Sequence, residues 1–552
     1  MKLKPLPKAI LVAVILGSAG YGTHVAMSKG YFKPRATIEA SVPDKIDLPT
    51  TTTGTSTGLS STINTSPVSS HEVIRVKTLA WNATAGLHYA NGDVDTAPGS
   101  IMDKRGLKVN LKREDDYSKM IADLASFAKD NSTGVHFVVI MGDGYPAFVK
   151  GADEALAPFN QSVEVVGALG YSRGEDKCII DKNAKPQGSL IAGVLGDGDI
   201  NICIKYAADN GIKVNSDPKT YDPNAMNFVG VSSFTEADEK FIANATDRGH
   251  PINGTATWTP GDVKVATKRG NIKVLASTKE YAWQMPAVVI GNKQWMAAHP
   301  NEVKAFLAAA FEGGELVRAN DQALLKAGAV EAKVYSEGDA NYWAKYFKGT
   351  TENGISLGGS TTNGLADNAF LFGLKGADNL YKKVYNVYGT IAVKYFPDNL
   401  PKMIPYEQVV NTSYIESLLA SSSVTVDQAA TPTYGGQKIA VVANKSYSIE
   451  FDSGKTTFKP QSVAVLNELL DQIAVSSLSV QINGHTDSKG NPEANLALSK
   501  ARAEAVKKFL MANAGSNFPS ERITTRGYGD TQPIGTDAQN RRVEIILYST
   551  AN

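Results

Sequence analysis

At 552 residues the chain exceeds the roughly 250 residues at which a single core stops growing, so its 42% apolar and 20% charged composition must be shared among two or three globular units. With 56 basic against 55 acidic residues the formal charge is +1, which excludes an electrostatic footprint for nucleic acid and leaves partners to be read from local sites. The seven histidines are scattered, with no pair at i, i+4, so no zinc site is proposed and no cofactor is expected.

The chain opens with MKLKPLPKAILVAVILGSAGYGTHVAM, where Lys2, Lys4 and Lys8 precede an apolar run from Ala9. A cleaved export signal would end at small residues such as Gly17 and Ala19. A spanning helix of about 20 residues would continue through Tyr21 to Met27. The apolar character carries past the cleavage site, so residues 1–32 are read as an uncleaved membrane anchor, with the cleaved signal as the alternative. The lysines keep that end in the cytoplasm and send the rest across the membrane. Residues 33–71, with the run LPTTTTGTSTGLSSTINTSPVSS, are too poor in large apolar groups to offset their ordering entropy and read as a flexible linker.

From 72 to 420 strand and helix patterns alternate. VIRVKTLAW, GLKVNL, VHFVVIMG and VEVVGALG read as strands, with the helical YSKMIADLASFAKD between the second and third, which predicts α/β with a mostly parallel sheet. The pattern restarts at KCIID. PAVVIGNKQWMAAHPNEVKAFLAAAFEGGELV then reads as a strand, an Asn/Pro turn and a long helix starting near His299 to Asn301. This interrupted layout, above all Leu275 through HPNEVKAFLAAAFEGG, resembles the type II periplasmic substrate-binding proteins of the nitrate, sulfonate and thiamine-precursor branch. The resemblance implies two lobes, joined by strands near residues 168–175 and 265–280, with a ligand cleft between them.

Several short motifs in this region have bland readings. GYSRG, Gly170 to Gly174, has the G-x-S-x-G form of a nucleophile elbow, but EDKCIID after it reads as turn and strand rather than helix, so a polar lobe-crossing segment is preferred to a Ser172 nucleophile. GDGD at Gly196 to Asp199 lacks the distal ligands of a calcium loop and reads as a turn and helix cap. MGDGYP, with Asp143, lies at the carboxyl end of a strand, where open α/β sheets bind ligands. Trp81, Asn82, Ser172, Ser277 and Thr278, at element ends, join Asp143 as cleft candidates. Cys178 and Cys203 either pair in an oxidising compartment or are two small buried residues; Ile200, Cys203, Ile204 and Ala207 share one helical face.

SSSVTVDQAATPTYGGQ, residues 421–437, reads as a second linker before a small domain at 438–552. There, NGHTDSKGNPEANLALSKARAEAVKKFL begins a helix at Asn491 and Pro492, with an expected buried stripe of Leu498, Ala501, Ala505 and Phe509. Residues seven apart share a helical angle, so Asn495, Ser499 and Arg502 lie on another face, with Asp487 near the helix start. An acid, an amide and a guanidinium suit a zwitterion, its ammonium on Asp487 and its carboxylate on Arg502. The alternative is an ordinary Asp487 to Arg502 salt bridge.

SYSIEFDSGK, INGHTD, NLALSKARA, TTRGYGDTQPIG and NRRVEIIL, in that order, resemble the OmpA-like peptidoglycan-binding domain, which is shared with flagellar motor protein B and peptidoglycan-associated lipoprotein. The resemblance implies that Asp487 and Arg502 grip the free amino-acid end of diaminopimelate in the stem peptide, with Asn495, Asp452 and Arg541 at matching positions. Lys489 departs from the threonine of some members. The expected architecture is therefore α/β: a two-lobed binding-protein-like domain followed by a smaller α+β OmpA-like domain. The expected function is non-enzymatic. The chain would bind peptidoglycan from the periplasm, anchored to the inner membrane by its N-terminal helix, and present a domain for a small anion or organic solute. The alternative is an assembly scaffold whose large domain binds another protein.

Overall fold

The computed structural model describes residues 63, 65–69, 72–196 and 198–550. The predicted anchor and most of the first linker lie outside the described residues, among which no helix is long and apolar enough to cross a membrane.

The large domain is two lobes, each built on a six-stranded sheet. The first sheet runs, edge to edge, Ser360–Thr362, Val163–Ser172, Pro286–Asn292, Phe137–Met141, Val73–Thr78, Lys108–Arg113. Val163–Ser172 and Phe137–Met141 are buried along their whole length, which is why they read as mostly apolar runs, broken in the first only by Glu164 and the terminal Ser172. The second sheet runs Ile272–Ser277, Lys177–Asp181, Gly254–Thr257, Leu190–Gly193, Ala225–Gly230, Lys213–Asn215.

The chain leaves the first lobe through Val163–Ser172 and returns through Pro286–Asn292, paired antiparallel to it. On the far side of the gap Lys177–Asp181 and Ile272–Ser277 are likewise antiparallel. The sheets are therefore mixed rather than mostly parallel, because strands that leave and re-enter through one gap must run in opposite directions. The second crossing also lies later than 265–280: Ile272–Ser277 is still a strand of the second sheet, and the chain crosses over 278–285.

Cys178 and Cys203 form a disulfide, Cα to Cα 5.2 Å, that ties the first strand of the second lobe to the helix Gly198–Asp209. The sequence left this pairing open because the contact is made across the fold rather than along it.

In the first lobe His88 is fully buried on the helix Ala85–Asn91, its Nδ1 3.0 Å from the Thr84 carbonyl. Burial pushes it down to about 4 from an ordinary 6.5, against the Thr84 bond. Below pH 6.5 the unfolded chain takes up a proton that the folded one refuses, so this contribution is complete above 6.5 and lost as the pH falls towards 4. The unfolding free energy of the protein minus that of His88→Gln is expected to fall by about 3 kcal/mol across that window. A difference that stays flat in urea titrations at both ends would refute it.

The small domain has a four-stranded sheet in the order Lys438–Tyr447, Val543–Thr550, Ser479–Gly484, Ile523–Gly527, with helices Pro460–Ala474 and Pro492–Asn513 packed on it. The buried stripe of the second helix is Asn495, Ser499, Ala503, Val506 and Leu510, whereas Ala501 of the expected stripe is exposed. The helix lies so close to the sheet that a Cβ on Gly484 would fall on the Ser499 carbonyl, and only small residues fit the seam. Gly484→Ala should therefore cost about 1–3 kcal/mol of stability by overpacking. An unchanged thermal midpoint for the small domain would contradict this packing.

The segment 421–437 is not a free tether. Val424 is buried, the Ala430 amide donates to Asp367 at 2.8 Å, and Tyr434 lies 5.3 Å beneath the Arg522 guanidinium. Its Thr, Ser and Gly content conceals these few anchored residues.

Candidate functional site

Between the lobes, the six cleft candidates are all buried. Asn82, at the turn after the first strand, donates from Nδ2 to Glu175 at 3.1 Å, and Ser360 donates to the other oxygen of that carboxyl. Burial, with Asp176 beside it, pushes the Glu175 carboxyl well above the usual range. Ser172 and Thr278 share a hydroxyl contact at 2.5 Å. The Asp176 amide donates to Ser172 at 3.1 Å and the Gly174 amide to Thr278 at 2.9 Å, so this pair knits the two crossing segments together. Ser277 donates to Glu280 at 2.6 Å. Asp143 accepts from Gln284 at 2.7 Å and from Asn201 of the second lobe at 3.3 Å.

The lobes also meet directly. Trp258 Nε1 donates to the Ala80 carbonyl at 3.0 Å. Within the second lobe Lys177 pairs with Asp262 at 2.7 Å, both side chains buried. Asp262 in turn accepts from the Gly358 amide at 3.0 Å. At this seam Trp81 Nε1 and Asn82 Oδ1 meet no hydrogen-bond partner among the described residues.

In the small domain the buried strand Ser479–Gly484 delivers the loop that holds Asp487. Asn491 caps the following helix, accepting from the Glu493 and Ala494 amides at 2.8 and 3.2 Å. Asn495 donates to the carbonyls of Asp487 at 3.3 Å and Lys489 at 3.1 Å, and so fixes the loop. Asp487 accepts from the Lys489 amide at 3.2 Å and from Arg541 Nη1 at 2.5 Å. Burial works to raise this carboxyl, but the hydrogen bond and charge of Arg541 outweigh it and hold it below the usual carboxylate range.

Arg502 does not pair with Asp487. Its Nε donates to the Lys455 carbonyl at 3.2 Å, its Nη2 to the Asp452 carbonyl at 3.4 Å, and its guanidinium lies 4.8 Å from the centre of the Phe451 ring. Among the described residues no carboxylate is within ion-pair distance of it. Asp452 thus enters through its backbone. A cavity of about 220 Å³ opens here, lined by Phe451, Lys459, His485, Arg502, Arg541 and Arg542 among others. His485 stacks on Tyr528 with ring centres 5.3 Å apart and a 9° tilt. Burial and the neighbouring Arg542 push its imidazole below the ordinary value, against the opposing charge of Glu544.

The sequence model of the OmpA family matches residues 450–545. Peptidoglycan-associated lipoprotein of Haemophilus influenzae is 31% identical over 144 residues, which are 24% of this chain and 92% of that protein. The chain belongs to the OmpA family through its C-terminal domain. Outer membrane porin F of Pseudomonas fluorescens is 36% identical over 120 residues, 20% of this chain and 36% of that one. The chain spans between 14% and 37% of the length of the first curated relatives. Among solved structures, the nitrate-binding protein NrtA of Synechocystis PCC 6803 aligns with 66% of this chain and 92% of its own at 11% identity and a TM-score of 0.48, a likeness that assigns no ligand.

In the OmpA-family domain, three arginines and Lys459 surround the cavity, while Lys459 is engaged with Glu450 at 2.8 Å and Arg541 with Asp487. The arrangement can hold a carboxylate on Arg502 and offer the Asp487 edge to a cation. His485 and Arg542 were not singled out from sequence, although both stand in motifs that were. GHTD holds His485 beside the aspartate, and NRR holds Arg542 beside Arg541.

Proposed function

We propose that the chain binds the diaminopimelate stem peptide of peptidoglycan in the cavity of its OmpA-family domain. A carboxylate of the ligand lies on Arg502 and its ammonium on Asp487, with Arg541 orienting Asp487. The single observation that carries the reading is a guanidinium held over a ring beside an open cavity, without a carboxylate of its own. A relative named for its association with peptidoglycan, aligned over nearly its whole length, supports it. The N-terminal helix would fix the protein to the inner membrane from the periplasmic side. Binding without turnover is the role, since Ser172 is committed to Thr278 and Asp176 rather than to a base. Full-length protein should pellet with purified diaminopimelate-type sacculi; protein that stays in the supernatant would overturn the reading.

For the two-lobed domain, the unpartnered Trp81 Nε1 and Asn82 Oδ1 at the seam support a small polar solute or anion taken between the lobes. The direct contact of Trp258 with Ala80 favours a second reading, a scaffold surface for another protein. A thermal-shift screen of the full chain against small solutes separates them, because a solute that prefers the closed fold raises the melting temperature.

A further inference from the structure

The OmpA-family domain rests on both lobes and on the hinge between them. On the first lobe, Lys383 of the helix Leu380–Tyr395 pairs with Asp471 of the helix Pro460–Ala474 at 3.0 Å, and Asp378 takes the Ser516 hydroxyl at 2.6 Å and its amide at 3.1 Å. At the hinge, the Ser477 amide donates to the Glu280 carbonyl and its hydroxyl to the Lys279 carbonyl, both at 3.1 Å. On the second lobe, the helix Gly198–Asp209 packs against the strand Lys438–Tyr447. Along that largely exposed edge strand Val442 and Tyr447 are half-buried and Ala443 alone is buried, beside Asp209 and Ile473. Asp209 is itself fixed by Lys205 at 2.6 Å and by the Tyr281 hydroxyl at 2.9 Å, and Tyr281 stands in the second crossing.

We propose that the OmpA-family domain is a clasp across the hinge, which holds the two lobes at one angle and so links engagement of the wall to opening of the seam. Rotation of the second lobe against the first must displace Ala443 from the helix Gly198–Asp209 or break the Lys383 and Ser477 contacts, because one folded domain spans all three. The reasoning is that of linkage: a body bound to one arrangement of two lobes stabilises that arrangement, and whatever moves the body shifts the lobes. Arg502 and its cavity are not among the contacts with the large domain, so the clasp leaves the wall site accessible.

The wall half of this coupling rests on the peptidoglycan reading, whereas the lobe half can be measured without it. Spin labels at Lys129→Cys in the first lobe and Glu239→Cys in the second, in the full chain, should give one narrow distance distribution by pulsed electron resonance. Combining Lys383→Glu with Ser477→Asp sets like charges and a carboxylate against the footholds, and the distribution should broaden towards longer distances. Adding Asp471→Lys to Lys383→Glu alone should restore the narrow distribution, which keeps the test valid if the first variant folds poorly. An unchanged distribution in the Lys383→Glu, Ser477→Asp protein, folded by circular dichroism, would overturn the clasp. Sacculus pelleting of the same protein is expected to persist. Failure of the unmodified protein to pellet would remove the wall reading and leave the lobe measurement standing.

Discussion

Arg502→Ala should weaken retention on diaminopimelate-type sacculi by about 2–5 kcal/mol, or roughly 30-fold to a few thousand-fold. The magnitude follows from the environment. Arg502 is half-buried, its fixed partners are two carbonyls and a ring, and a ligand carboxylate is the full charge it lacks. Asp487→Ala acts differently, since it removes the cation site and also frees Arg541, which then swings over the cavity as a third unneutralised cation. Asp487→Asn isolates the charge, because the amide oxygen can still accept from the Lys489 amide while the attraction for Arg541 is lost. An Asp487 to Arg502 salt bridge would predict lower stability with intact retention, and that pair is not formed. Retention of Arg502→Ala within a few-fold of the unmodified protein would remove Arg502 from the site.

Lys177→Met should cost about 3–5 kcal/mol of folding stability, because it strands the Asp262 carboxylate in the seam. Both side chains of the pair are buried, and Asp262 keeps only the Thr259 hydroxyl at 2.9 Å and the Gly358 and Val263 amides at 3.0 and 2.8 Å. Adding Asp262→Asn should recover much of the loss, since a neutral amide keeps an acceptor for those donors without an uncompensated charge. Equal unfolding midpoints for the single variant and the unmodified protein would show that the pair is not desolvated as the packing requires.

Much of this was legible in the sequence, and the gaps have physical causes. The order of motifs from Asp452 to Arg541 identified the small domain because its loops and turns have fixed chemistry at fixed places. The ion pair of Asp487 with Arg541 is not legible there because spacing along one helix reveals only what that helix carries, while Arg541 arrives from a distant loop. Periodicity placed the buried stripe on Leu498 and Phe509 because it weighs apolar character; the seam selected Asn495, Ser499 and Ala503 for size, close to Gly484. Antiparallel crossing strands look the same as parallel ones in a local pattern, so the mixed sheets were missed. His485 and Arg542 come together through the pairing of Gly484 with Val543, a register that no local stretch encodes.

The most direct measurement is calorimetry of the full chain with two soluble stem peptides that differ only in carrying diaminopimelate or lysine at the third position. Lysine keeps the side-chain ammonium for Asp487 and lacks the second carboxylate for Arg502. Tight binding of the diaminopimelate peptide, lost with the lysine peptide and lost again in Arg502→Ala, is the result expected; equal affinity for both peptides would contradict the assignment of the cavity to diaminopimelate.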